Sequence, residues 1–210
     1  MSSTMRGPTS PVFFVPLLIA VALILYFAPP QGGSGHYNEI AFVARAGGMP
    51  AEGVIKNYKT DFQFDPASPE TASLRMTFDI LSTSTGSLMA DRAALSDQFL
   101  DAERYPTAEL TANNAKPVDD GKYVMEGQLT LKGVTKPIRL PVSIKITEGN
   151  KAALRGEMSV NRLDFGLGPE TFMGFVLDND VKVRVALSDL PVIGLPPQTA
   201  AEAQAPTAKN

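Results

Sequence analysis

Residues 122–147 read KYVMEGQLTLKGVTKPIRLPVSIKIT. Tyr123, Met125, Leu129 and Leu131 alternate with Glu126, Gln128, Thr130 and Lys132. Ile138, Leu140, Val142, Ile144 and Ile146 alternate with Arg139, Ser143, Lys145 and Thr147. Successive side chains of a strand point to opposite faces, so this pattern predicts two half-buried antiparallel strands. Lys132-Gly133 between them is a turn signal.

The rhythm continues on both sides. Leu74, Met76, Phe78 and Ile80 alternate with Ser73, Arg75, Thr77 and Asp79. Leu154, Met158 and Val160 alternate with Arg155, Glu157, Ser159 and Asn161, and Val181, Val183, Val185 and Leu187 with Lys182 and Arg184. Three less regular segments, Ile40 to Ala44, Val54 to Phe64 and Ala108 to Ala115, bring the expectation to eight strands. Asp119-Asp120-Gly121, Glu148-Gly149-Asn150 and Asp178-Asn179-Asp180 are further turn signals. Such strands favour an up-and-down meander. Closing it removes its edges, and eight strands enclose room for side chains or one small ligand. A β-sandwich would use the same pattern, so periodicity leaves both architectures open.

One stretch breaks the rhythm. Ser87 to Arg104 (SLMADRAALSDQFLDAER) is rich in Ala and Leu, with Leu88, Leu95, Phe99 and Leu100 near helical spacing. It predicts a helical segment across one barrel end, with Ser96 capping a second short turn.

Composition narrows the chemistry. The 210 residues are 44% apolar and 20% charged, enough to bury a core. Lys plus Arg is 19 against 22 for Asp plus Glu, with no basic run, which disfavours nucleic-acid binding. There is no Cys, which excludes disulfides, thiolate metal sites and a Cys nucleophile. His36 is the single His, so a His-based metal cage or Ser-His-Asp triad has almost nothing to be built from. No catalytic, metal or cofactor constellation is expected, and the chain reads as a binding module rather than an enzyme.

The N-terminus carries a different signal. Val12 to Ala28 (VFFVPLLIAVALILYFA) is uncharged and spans about 25 Å as a helix. That is the lower limit for crossing a bilayer and longer than the usual apolar region of a signal peptide. Arg6 precedes it, so residues 1–11 are expected in the cytoplasm and the rest outside. Cleavage after Ala28 would put Tyr26 at −3 and Pro29 at +1, both unfavourable, so an uncleaved anchor is preferred to a removed signal sequence. The expected organisation is residues 1–11 cytoplasmic, 12–28 anchor or signal, 29–36 linker, 37–195 barrel and 196–210 disordered tail. The barrel then faces the periplasm from the inner membrane, or is periplasmic if the segment is cleaved.

Three stretches go beyond pattern. Asp91-Arg92-Ala93-Ala94-Leu95 is followed by Phe99-Leu100-Asp101 and Tyr105-Pro106-Thr107-Ala108. Gly127-Gln128-Leu129-Thr130-Leu131-Lys132-Gly133-Val134-Thr135-Lys136-Pro137 runs into Leu140-Pro141-Val142. Asn161-Arg162-Leu163-Asp164-Phe165-Gly166-Leu167-Gly168 comes third. In this order they resemble the YceI-like family of exported polyisoprenoid-binding proteins, over about residues 37–190. The resemblance implies an eight-stranded lipocalin-like barrel with an apolar tunnel for a polyprenyl chain, quinone or quinone precursor. It also implies a possible partner, a cytochrome b561-like membrane protein, since some relatives stand beside or are fused to one. Tyr37 and Asn38 stand where the family usually has a His-Ser pair, and Ile55 where it has an aromatic.

The candidate ligand-binding set is Phe42, Met76, Phe78, Leu95, Phe99, Met125, Leu129, Leu140, Met158, Arg162, Phe165, Phe172 and Phe175. Flexible Met suits an irregular chain. Gly166, Gly168 and Gly174 suggest a pliable gate beside Phe172 and Phe175. Arg162 continues the inward phase of Met158 and Val160, and an inward Arg needs a partner. Asp164, Asp91 or Asp101 would supply an ion pair at the barrel end; a ligand head-group is the functional alternative. Asp91-Arg92 is expected to cap the helix or pair with Arg162. Tyr105-Pro106 is expected to return the chain to a strand, and Thr135-Lys136-Pro137 to form a tight hairpin.

Overall fold

The computed structural model describes residues 38–194. The anchor or signal segment, the linker, His36, Tyr37 and the tail expectation for 196–210 lie outside the described residues. Among the described residues no helix is long and apolar enough to cross a membrane.

The described residues form twelve strands, one α-helix and three 3-10 segments. In chain order the strands are β1 (Glu39–Ala46), β2 (Met49–Ile55), β3 (Tyr58–Gln63), β4 (Ser73–Asp79), β5 (Thr83–Ser84), β6 (Thr107–Asp119) and β7 (Lys122–Leu131). They continue with β8 (Val134–Thr147), β9 (Lys151–Asn161), β10 (Thr171–Phe172), β11 (Phe175–Val176) and β12 (Asp180–Pro191). The helix α1 is Leu88–Leu95. Ten strands form one curled antiparallel sheet in the order β3-β4-β6-β7-β8-β9-β12-β1-β2-β5, and β10 pairs only with β11.

One of the eight expected runs is broken in two, and one short strand outside them is added to the main sheet. The Val54 to Phe64 run is interrupted at Lys56-Asn57 between β2 and β3, and the chain after β4 turns through a 3-10 segment, Ile80–Ser82, into β5. The break is held from outside the run. The Asn57 backbone N–H donates to Ser82 Oγ at 2.9 Å, and the Asp79 N–H donates to the Asn57 carbonyl at 2.9 Å.

Register aligns the inward side chains. Met76 lies opposite Thr60 and Leu110, and Leu110 opposite Leu129. Met125 faces Leu140, Met158 faces Val183, and Val183 faces Phe42. Directly opposed residues share a face of the sheet. Met76, Leu110, Met125, Leu140 and Leu154 are 0% exposed, so no water-sized void touches them. Most charged strand residues fall on the other face, as in the Lys116–Glu126 pair at 2.9 Å, whereas Lys136 has the inward phase of Ile138 and Leu140 and is half-buried.

Close backbone approach explains Gly127. A Cβ there would lie 1.8 Å from the Thr111 carbonyl oxygen, so the sheet can coil between β6 and β7 only over a glycine.

Two local expectations are corrected. The hairpin turn is Lys132-Gly133, both at positive φ (50° and 73°) as a two-residue type I′ turn requires, and Thr135-Lys136-Pro137 already lies in β8. The helical segment is shorter than Ser87 to Arg104. Ser87 caps α1 by accepting from the Ala90 N–H, and Ser96 ends it, its hydroxyl donating to the Ala93 carbonyl. The apolar stripe is only partly used: Leu95 packs on the core while Leu88 is 73% exposed.

Candidate functional site

The inner wall is fully buried over much of its length, and some of its residues are less covered. Phe42, Ile55, Tyr58, Ile138 and Val183 share the inward register but are only half-buried. On the same wall, Ile40, Leu74, Leu140 and Leu154 are 1% exposed or less. Of the thirteen candidates, Met76, Phe78, Met125, Leu129, Leu140, Met158 and Phe165 are buried in one apolar cluster. Phe42 is half-buried with its ring over Gly53, where a Cβ would meet Phe42 Cζ at 2.3 Å.

Loops fold over the end carrying the β7–β8 turn. Leu95 reaches the core from α1. Phe99 and Phe172 meet edge to face, ring centroids 5.1 Å apart, and Phe99 lies against Gly168. Lys132 Nζ donates to the Asp97 carbonyl at 2.8 Å and the Gly166 carbonyl at 3.2 Å, tying the β7–β8 turn to both loops. Tyr105 packs on Gly133, and β6 begins at Thr107 as the Tyr105-Pro106 reading requires. Phe175 is a correction. It is 41% exposed on the β10–β11 hairpin and rests on Gly47, so it lines no interior wall here.

Arg162 is buried, at 4% exposure, and its partners are not those expected. Nε donates to the Asp178 carbonyl at 3.0 Å. One terminal nitrogen donates to the Leu167 and Gly168 carbonyls at 2.8 and 3.0 Å. The other donates to the Leu177 carbonyl at 3.3 Å and Asn179 Oδ1 at 3.2 Å. A guanidinium has five N–H donors, and all are engaged. Asp164 and Asp101 make no ion pair with it; Asp101 instead lies 3.8 Å from Arg104. Asp91 is also elsewhere. Its Oδ1 accepts from the Thr85 hydroxyl at 2.7 Å and from the Thr85 backbone N–H, which hold its carboxyl below the usual carboxylate range. Arg162 therefore organises the 166–179 loops, and no donor is left to meet a ligand head-group.

Residue patterning missed an inward polar wall. Tyr58 and Thr60 on β3 and Thr83 on β5 face the interior, opposite Phe78, Met76 and Ile55. Desolvation pushes the Tyr58 phenol above its ordinary value. Thr60 and Thr83 each have a buried hydroxyl without a hydrogen-bond partner among the described residues. The signal was present: Tyr58, Thr60, Phe62 and Phe64 keep period two, with a hydroxyl in the apolar phase.

Among the described residues no three His, Asp or Glu side chains come together as a metal site. Two surface depressions lie outside the apolar walls. One of about 280 Å³ is lined by Asp61, Arg75, Thr111 and Asn113 among others, and the second by Glu148, Lys151 and Asp189 among others.

Comparison with known proteins places this architecture. The family model for the YceI-like domain matches residues 36–188. A UPF0312 protein of Pseudomonas fluorescens is 34% identical over 132 residues, 56% of this chain and 66% of the relative, so the chain spans just under two thirds of that relative. BcnA of Burkholderia cenocepacia superposes with a TM-score of 0.67 at 26% identity, over 71% of this chain and 94% of that one. A polyisoprenoid binding domain of Saccharophagus degradans superposes at 0.56 with 15% identity, over 73% and 94%, a likeness of fold.

Proposed function

The chain belongs to the YceI-like family, and from that premise we propose that its interior binds an isoprenoid lipid, a polyprenyl chain, quinone or quinone precursor, for carriage or storage. The observation that carries this is the continuous apolar inner wall, fully buried at Met76, Leu110, Met125, Leu140 and Leu154 and half-buried at Phe42 and Val183 beside the covering loops. A structural neighbour described as polyisoprenoid binding supports it. The pairing at the two ends of the sheet, β3 with β4 and β2 with β5, supports a closed container. Counted as continuous chains, β2 with β3 and β4 with β5 leave eight strands, each paired to the next and the last to the first. Val12 to Ala28 tethers the barrel to the inner membrane on its periplasmic side, which raises the local concentration of a bilayer-borne ligand. The barrel acts without catalysis.

One observation favours a second reading, a partner module of a cytochrome b561-like membrane protein. Met49, Met173 and Val176 are 49, 70 and 66% exposed, and the Gly47 N–H donates to the Val176 carbonyl, so these apolar side chains belong to neighbouring hairpin tips.

The test is native followed by denaturing mass spectrometry on the full chain purified in mild detergent from its own membrane fraction. A stoichiometric prenyl lipid is expected, and its mass names the cargo. An empty protein that also fails to take up added ubiquinone overturns lipid binding and leaves the partner module.

A further inference from the structure

Burying a hydroxyl without a hydrogen bond is unfavourable, and such groups in a folded protein call for an explanation. This chain has two on one inner wall. Thr83 is 5% exposed and lies on β5 opposite Ile55, which lies opposite the core residue Ile40. Thr60 lies on β3 opposite Met76, itself 0% exposed. Neither hydroxyl oxygen has a partner among the described residues. In register they lie on opposite sides of the Lys56-Asn57 break, Thr83 opposite Ile55 before it and Thr60 three residues after it. Tyr58, two residues before Thr60 in the chain and in the same phase, adds a third inward hydroxyl.

We infer that the Thr60 and Thr83 hydroxyls give the apolar interior two separate polar positions, and that these take the neutral oxygen-bearing head of an isoprenoid, a hydroxyl or carbonyl, in preference to a phosphate. The inference rests on the reading of the interior as a lipid site. A threonine hydroxyl both donates and accepts, so it suits an alcohol or a quinone carbonyl. A desolvated phosphate would need a cation. The N–H groups of Arg162 are all engaged elsewhere. Lys136 lies opposite Leu129 on β8, with β4, β6 and β7 between it and β3.

The test uses three probes of one chain length: farnesene without a head-group, farnesol, and farnesyl phosphate. Each is titrated against the full chain in mild detergent and read by native mass spectrometry. The double variant Thr60→Val, Thr83→Val keeps the side-chain shape and removes both hydroxyls. Because they are unpartnered, the ligand-free thermal midpoint should stay level or rise. Farnesol binding should weaken roughly tenfold, as loss of one or two net hydrogen bonds implies, while farnesene binding stays unchanged. If the variant binds farnesol as well as the wild type, the head-group role is refuted and the hydroxyls serve a buried water. Preference of the wild type for farnesyl phosphate over farnesol refutes the selection for a neutral head. Failure of the wild type to bind all three probes overturns the lipid reading itself, and this inference with it.

Discussion

Replacing Arg162 by Met separates two accounts of the most buried cation in the domain's loop end. Met keeps much of the stem and removes the guanidinium. Five acceptors then lose their donor: the carbonyls of Asp178, Leu167, Gly168 and Leu177, and Asn179 Oδ1. A hydrogen bond to a charged group contributes about 1.5–3 kcal/mol. The five do not add, because Asp178 and Asn179 are exposed and water can reach them. An acceptor left unsatisfied away from water costs about 1–3 kcal/mol, so the carbonyls of the half-buried Leu167, Gly168 and Leu177 together imply a loss of about 3–5 kcal/mol. At about 2–4 °C per kcal/mol for a domain of this size, the thermal midpoint should fall by about 6–20 °C. Arg162→Lys keeps the charge but carries three donors in place of five, so it should fall between. Circular dichroism melts and urea titration measure both. Hydrogen exchange should show the 166–179 loops opening first, since every acceptor lies in or beside them. An unchanged melting midpoint together with abolished lipid binding would refute the reasoning, because it would make Arg162 a head-group contact and not an organiser of loops.

Two further predictions follow from single contacts. Gly127→Ala places a methyl 1.8 Å from the Thr111 carbonyl oxygen, a backbone atom with no room to yield, so the variant should lose at least about 3 kcal/mol in urea titration or fail to fold; an ordinary melt would show that the strands separate easily there. Asp91 has its carboxyl held below its ordinary 3.8 by the Thr85 hydroxyl, then by the Thr85 backbone N–H. Its ionised form thus supports the fold above that value, and the support is lost as pH falls through the lower, folded value. The melting gap between wild type and Asp91→Asn should be open at pH 6 and should close toward pH 3; a gap constant with pH would mean the charge is irrelevant.

The strands were legible where one face is buried and the other solvated. Ile138 to Ile146 alternates cleanly, and its phase gives the observed inward set, Leu140, Val142 and Ile144. The Lys56-Asn57 break was not legible, because its cause lies far along the chain: Asn57 is held by Ser82 and Asp79. Phase correctly placed Arg162 among buried residues, but its partners are mostly backbone carbonyls, which no side-chain pattern announces. Phe175 misled for a related reason. An apolar residue near glycines reads as a gate, yet the tip of a two-strand hairpin has only one face to cover, and Gly47 takes it. The Thr60 signal was visible in the period-two phase and was obscured because the whole Val54 to Phe64 run was read as irregular.

Interior packing and ligand exchange bear on each other through the reference state. Burial of a CH₂ is favourable by about 0.8 kcal/mol measured against water. A lipid already in a bilayer gains almost none of this on moving into an equally apolar barrel. Chain burial therefore opposes leakage into water but does little to draw the ligand from the membrane. Entry also has a local cost, since no water-sized void touches Met76, Met125 or Leu140. A prenyl chain must displace side chains that are already buried. The unbranched Met76, Met125 and Met158 can adapt and repack against it, which keeps that cost small. What remains to decide the exchange is the head-group. In the bilayer a prenol or quinone oxygen lies near water and hydrogen-bonds there. Inside an all-apolar barrel it would lose those bonds, at about 1–3 kcal/mol. On the proposed reading, Thr60 or Thr83 removes that penalty for a neutral oxygen without a charge that would itself need solvation. Their hydroxyls thus act on the difference between membrane and barrel, the quantity that governs carriage, whereas the apolar wall contributes nearly equally to both sides of it.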